Sequence, residues 1–148
     1  MSKIDFYLLD SADLAGAMRY TCRLTSKGYR LGKRVFIRVE DTQQAQQLDE
    51  LLWTFSDQSF IPHVVQDDLP GGDTPDTREP VLIGIMEPRA GQMDLLINLA
   101  ATLPENYAGY EMVKEVVRKD ENCLAAARQR WRQYQDPDNQ LDKHDIGD

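Results

Sequence analysis

At 148 residues, with 41% hydrophobic and 28% charged side chains, the chain has the size and make-up of one folded domain rather than of a disordered polypeptide. Its formal charge of −8 opposes the phosphate neutralisation that drives binding to duplex DNA, so direct sequence-specific reading of nucleic acid is not expected. No apolar run approaches the roughly 20 residues of a membrane span. Met1 to Phe6 lacks the apolar core of a signal peptide, so a cytoplasmic location is the expectation, with Cys22 and Cys123 as reduced thiols.

Ile4 to Leu9 is a short apolar run rich in β-formers and predicts a first strand. Asp10 and Ser11 then supply turn and cap chemistry before a helical pattern through Leu14, Met18, Cys22 and Leu24 that ends between Gly28 and Gly32. Arg34 to Val39 predicts a second strand. Asp41 and Gln44 have the spacing of a capping box and open a second helix, whose apolar stripe is Ala45, Leu48, Leu51 and Leu52, with Trp53 at its end. Strand, helix, strand, helix in that order predicts βαβ units around a mainly parallel sheet.

From Thr54 to Glu79 the periodicity fails among Pro70, Gly71, Gly72 and Pro75. Connections this long are uncommon unless they serve a function or are mobile. Within this one Phe55, Phe60, Ile61, Pro62, His63, Val64 and Val65 form an apolar island just after Trp53. Aromatic anchors beside an irregular loop suit either sheet padding or a protein-docking patch. Val81 to Met86, Asp94 to Leu99 and Glu111 to Val117 are the remaining expected strands, with a short helix or turn between Leu103 and Gly109. The expected domain spans residues 1–135, and residues 136–148 read as a polar, acidic and flexible tail.

The stretch from Arg118 to Gln135 contradicts the acidity around it, with five basic residues against two acidic ones. Asp120 or Asn122 can cap a helix there, and Ala125 to Ala127 favour one. On that helix Leu124, Arg128, Trp131 and Gln135 share a face, with Arg132 on its margin. Two guanidinium groups beside one indole suit a ligand that ends in a carboxylate and an apolar side chain. The plainer alternative is a core tryptophan under a solvated arginine rim.

An enzyme on an open α/β sheet would work at the carboxyl ends of its strands, where Asp10 and Asp41 could hold Mg²⁺ for phosphoryl transfer; helix capping explains the same positions. No glycine-rich phosphate cradle follows any strand. Neither His63 nor His144 has a partner at metal-ligand spacing, so no metal and no cofactor are expected.

Phe6-Tyr7-Leu8-Leu9-Asp10, Gly32-Lys33-Arg34-Val35-Phe36-Ile37, Glu40-Asp41 with Gln44-Ala45 and Leu48-Asp49-Glu50 before Leu52-Trp53, Phe60-Ile61-Pro62-His63, and Asp94-Leu95-Leu96-Ile97-Asn98-Leu99 occur in one register. In that register the chain resembles the chi subunit of bacterial DNA polymerase III from about Lys3 to Tyr134. The resemblance implies a single-domain Rossmann-like fold without a nucleotide site, and a non-catalytic accessory subunit of the clamp-loader assembly. It implies two partners: the psi subunit, and the acidic C-terminal tail of the single-stranded-DNA-binding protein, which ends in an apolar residue and phenylalanine. By that resemblance the tail site uses Val117, Arg128, Trp131 and Arg132, with Trp131 and Arg132 where the family commonly has tyrosine and lysine. Leu124 departs from the family, which typically has lysine there. Trp53 and Phe60 match positions used against psi or an alternative helicase partner.

Overall fold

The computed structural model describes residues 2–54, 61–66, 79–89 and 91–146. Seven strands, β1 (Ser2–Leu9), β2 (Val35–Arg38), β3 (His63–Val65), β4 (Val81–Gly84), β5 (Leu95–Asn98), β6 (Met112–Val117) and β7 (Asn139–Ile146), form one sheet in the order β3-β4-β2-β5-β6-β1-β7. Every pairing in it is parallel, so the expected α/β architecture is present and the sheet is parallel throughout. Among the described residues three α-helices, α1 (Leu14–Arg30), α2 (Thr42–Thr54) and α3 (Glu121–Tyr134), cover it.

Alternation along the strands divides the core into two layers. Val35, Ile37, Val81, Ile83, Leu95 and Ile97 pack with Met18, Cys22, Leu48 and Leu52 of α1 and α2. Ile4, Phe6, Phe36, Leu82, Leu96 and Val113 face the other way, toward Ala127 and Tyr134 of α3. Successive residues of the central strands β2, β4 and β5 alternate between two buried faces, so these strands read as nearly continuous apolar runs. Burial also pushes the Cys22 thiol up to about 12, so it stays protonated.

The helix starts follow from side-chain caps. Asp13 accepts from Ala15 N at 3.2 Å, Asp41 from Gln44 N at 2.8 Å, and Asp120 from Cys123 N at 3.1 Å. The Gln44 side chain returns to accept from Glu40 N at 3.0 Å, one residue beyond the reciprocal contact of a standard capping box.

Gly84 closes β4 where the Gln66 side chain crosses it, and a Cβ there would lie 2.5 Å from Gln66 Oε1 and 2.6 Å from Gln66 Cβ. Gln66 Oε1 accepts from the backbone of Ile85 and Met86 at 3.1 and 3.0 Å, so the crossing ties the end of β3 to the turn after β4. Gly84→Ala should therefore cost about 1–3 kcal/mol through overpacking, read as a lower urea midpoint at unchanged slope.

The C-terminus corrects the expectation of a frayed tail. Residues 139–146 pair with β1 from Ser2↔Asn139 to Leu9↔Ile146, and the sheet extends to Ile146. Charged residues are what an edge strand carries to discourage pairing with other chains, which is why Asn139–Ile146 has no apolar alternation to read. Leu141 packs into the α3-side core, and Asn139 Nδ2 donates to the Tyr134 carbonyl at 2.9 Å. Because β6 and β7 flank β1, the crossover helix α3 must pass over β1, and this sets the position of the site described next.

Candidate functional site

Between α3 and the sheet edge formed by β1 and β7 lies a groove of about 610 Å³. Its floor is Phe6 and Leu8 of β1 with Leu124, Ala127 and Trp131 of α3, and its cations are Arg128, Arg132 and Lys143. Trp131 is half-buried; its ring meets Phe6 edge-on at a centroid distance of 5.2 Å. That contact fixes the indole in orientation while leaving part of it open to the groove. Arg128 and Arg132 are exposed, and neither makes a side-chain hydrogen bond or ion pair among the described residues.

Of the five cations in the basic stretch, Arg130 is turned the other way. It is 4% exposed, its Nε donates to Glu115 Oε1 at 3.1 Å, and its Nη1 donates to the Ala101 carbonyl at 2.7 Å. Glu115 also accepts from Tyr134 OH at 2.7 Å and from Asn98 Nδ2 at 3.0 Å. Asn98 Oδ1 in turn accepts from Arg38 at 3.2 Å, so the network joins β2, β5, β6 and α3. Desolvation raises the Glu115 carboxyl above its ordinary range, opposed by Arg130, Tyr134 and Asn98. Every described buried side-chain polar atom has a partner, so the network is fully satisfied. It clamps α3 to the sheet and holds the groove face outward.

Val117 is buried in the α3-side core; it lines a different cavity, at the strand ends, and does not reach the groove. Asp41 caps α2, and Asp10 lies 3.7 Å from Lys119 Nζ. Glu40 accepts from Ala101 N at 2.8 Å, so the acids at the strand ends are engaged in structural contacts. No group of three or more His, Cys, Asp or Glu residues among those described could hold a metal ion. His63 is buried, with its Nε2 3.0 Å from Asp49 Oδ1 and its ring 4.4 Å from that of Trp53.

Comparison with known proteins adds descent to this geometry. The family model described as DNA polymerase III chi subunit, HolC, matches residues 1–142. The chain belongs to that chi family. It is 33% identical over 146 residues to the DNA polymerase III subunit chi of Pseudomonas aeruginosa, covering 99% of this chain and 98% of that one. It is 31% identical over 139 residues to the Escherichia coli K12 protein of the same name, covering 90% and 91% respectively. The Haemophilus influenzae chi subunit is 29% identical over 143 residues, covering 96% of each chain. In fold the chain is similar to the crystal structure of T4 UvsW, with a TM-score of 0.65 at 10% identity. It matches that structure over 99% of its own length and 42% of the larger chain, a likeness of Rossmann-like architecture alone.

Within this chi-family chain the second aromatic feature lies away from the groove. Trp53, near the C-terminal end of α2, is 50% exposed although its ring meets His63. Phe60 lies outside the described residues. No helix of the described residues is long and apolar enough to cross a membrane. Sequence reasoning missed two contributors: Lys143, on a strand it did not foresee, and the Glu115–Arg130 pair. For the latter a signal existed, since Ala127, Arg130 and Tyr134 follow helical spacing with two apolar neighbours around the arginine.

Proposed function

We propose that the chain is a non-catalytic accessory subunit of the replicative polymerase, and that its α3 groove grips the acidic C-terminal tail of the single-stranded-DNA-binding protein. One observation supports this reading above the rest: an apolar floor with a part-open indole is rimmed by uncommitted guanidinium groups on a chain of net charge −8. The terminal phenylalanine of the tail lies against Trp131 and Phe6, and its α-carboxylate meets the Arg128 or Arg132 fork. The preceding aspartates meet the remaining basic side chains.

Burying a phenylalanine is worth roughly 1.5–3 kcal/mol, and each charge-assisted hydrogen bond about 1.5–3 kcal/mol. After the cost of ordering a flexible tail, these contributions give affinity near micromolar, on the order of −8 kcal/mol. Weak single contacts suffice, because a protein coating single-stranded DNA presents several tails and holds the polymerase nearby by multivalency. A pull-down with the full-length and the tail-deleted coating protein tests this: the full-length protein is retained and the truncated one is not. Equal retention of both would refute tail binding.

On this reading the Trp53 end of α2, with Phe60, docks psi and so joins the clamp loader, or docks a helicase in its place. Its exposed indole is an aromatic anchor of the kind found at interface centres. Trp53→Ala should abolish copurification with psi while tail affinity stays within twofold of the parent. Loss of both activities in a variant whose urea midpoint matches the parent's would contradict the two-surface arrangement.

A further inference from the structure

The groove has two walls, and the one opposite α3 is built by β7. Lys143 sits in register beside Phe6, and Phe6 meets Trp131 edge-on, so the three residues run in line from the β7 edge across β1 to α3. Strand alternation places Leu141 and Lys143 on the α3 side of the sheet, whereas His144 is on the other side, with its Nε2 3.0 Å from Asp5 Oδ1. Lys143 is exposed and makes no side-chain hydrogen bond or ion pair among the described residues. It lies one residue beyond the span matched by the family model.

We propose that Lys143 is a third specificity-determining cation of the groove, and that it receives an acidic side chain of the tail while the arginines of α3 receive the terminal carboxylate. The division follows from the chemistry of the two cations. A planar guanidinium accepts both oxygens of a carboxylate in parallel, and two such forks stand together on α3. An ammonium group is a compact point charge on a flexible stem, suited to a side-chain carboxylate arriving from the far side of the apolar floor. A peptide whose phenylalanine lies on Phe6 and Trp131 therefore passes between cations of opposite walls, and its acidic residues confer selectivity over a neutral peptide with the same apolar end. The hold on β7 matters for the same reason: Leu141 in the core and the His144–Asp5 contact keep Lys143 beside Phe6.

This inference rests on the proposed tail site, and the test separates the two. An Asp-rich peptide ending in phenylalanine, and the same peptide with its aspartates replaced by asparagine, are titrated calorimetrically into the full chain and into Lys143→Ala, Lys143→Arg and Arg128→Ala. Lys143→Ala is expected to bind the acidic peptide three- to tenfold more weakly, with a shallower salt dependence, and Lys143→Arg within twofold of the parent. On the asparagine peptide the Lys143→Ala penalty should vanish while the Arg128→Ala penalty persists. A Lys143→Ala variant that binds the acidic peptide as the parent does, beside a weakened Arg128→Ala, would overturn the role of Lys143 and leave the tail site standing. Parental binding by Arg128→Ala and Lys143→Ala alike would overturn both.

Discussion

Arg130→Ala is expected to cost about 3–5 kcal/mol of folding free energy, because it leaves the Glu115 carboxylate buried without its cation. Glu115 is fully buried, so its carboxylate would lose its counter-charge where few other groups can replace it. A domain of ordinary stability holds only about 5–15 kcal/mol in total, so the variant should melt at far lower urea concentration than the parent or fail to accumulate. Glu115→Gln in the same background should recover part of the loss, since an amide removes the stranded charge while Asn98 and Tyr134 still have an oxygen to meet. Urea melts of the parent, the single variant and the double variant measure this; equal midpoints for parent and Arg130→Ala would show that the pair does not clamp α3.

The second large effect falls on binding. Arg128→Ala should lower affinity for the acidic tail peptide by more than about tenfold, the loss expected for one charge-assisted hydrogen bond of about 1.5–3 kcal/mol. Its urea midpoint should stay close to that of the parent, because Arg128 is exposed and uncommitted. Added salt should weaken the parent more than the variant, since the contact is between partly exposed charges. The two arginines, two residues apart on one helix, thus give opposite phenotypes: Arg130→Ala unfolds and Arg128→Ala only unbinds. Calorimetry showing unchanged affinity in Arg128→Ala would remove that residue from the site.

The division of labour on α3 was half legible in the sequence. Spacing placed Leu124, Arg128, Trp131 and Gln135 on one face with Arg132 on its margin; all but Gln135, which caps the end of α3, line one groove. Spacing alone could not say that Arg130 turns inward, since its partner Glu115 lies in β6 and is met only through the tertiary fold. The central strands were readable because burial on both faces makes them uniformly apolar. Strand β7 was not, because its charged residues are the protective chemistry of a sheet edge and look the same as a solvated tail. Strand β3 hid for a different reason: three residues, His63 to Val65, are too few to show a period. Val117, assigned to the site by resemblance, is buried in the α3-side core and lines the cavity at the strand ends rather than the groove.

The proposed seat of the acidic tail is the groove between α3 and β7. Its most direct test is a heteronuclear NMR titration of the isotope-labelled chain with the Asp-rich peptide ending in phenylalanine. The Trp131 indole N–H and the amides of Phe6, Leu8, Leu124 and Arg128 are expected to move most, with the Trp53 indole unmoved. Shifts centred on Trp53, with Trp131 and its neighbours unchanged, would contradict it.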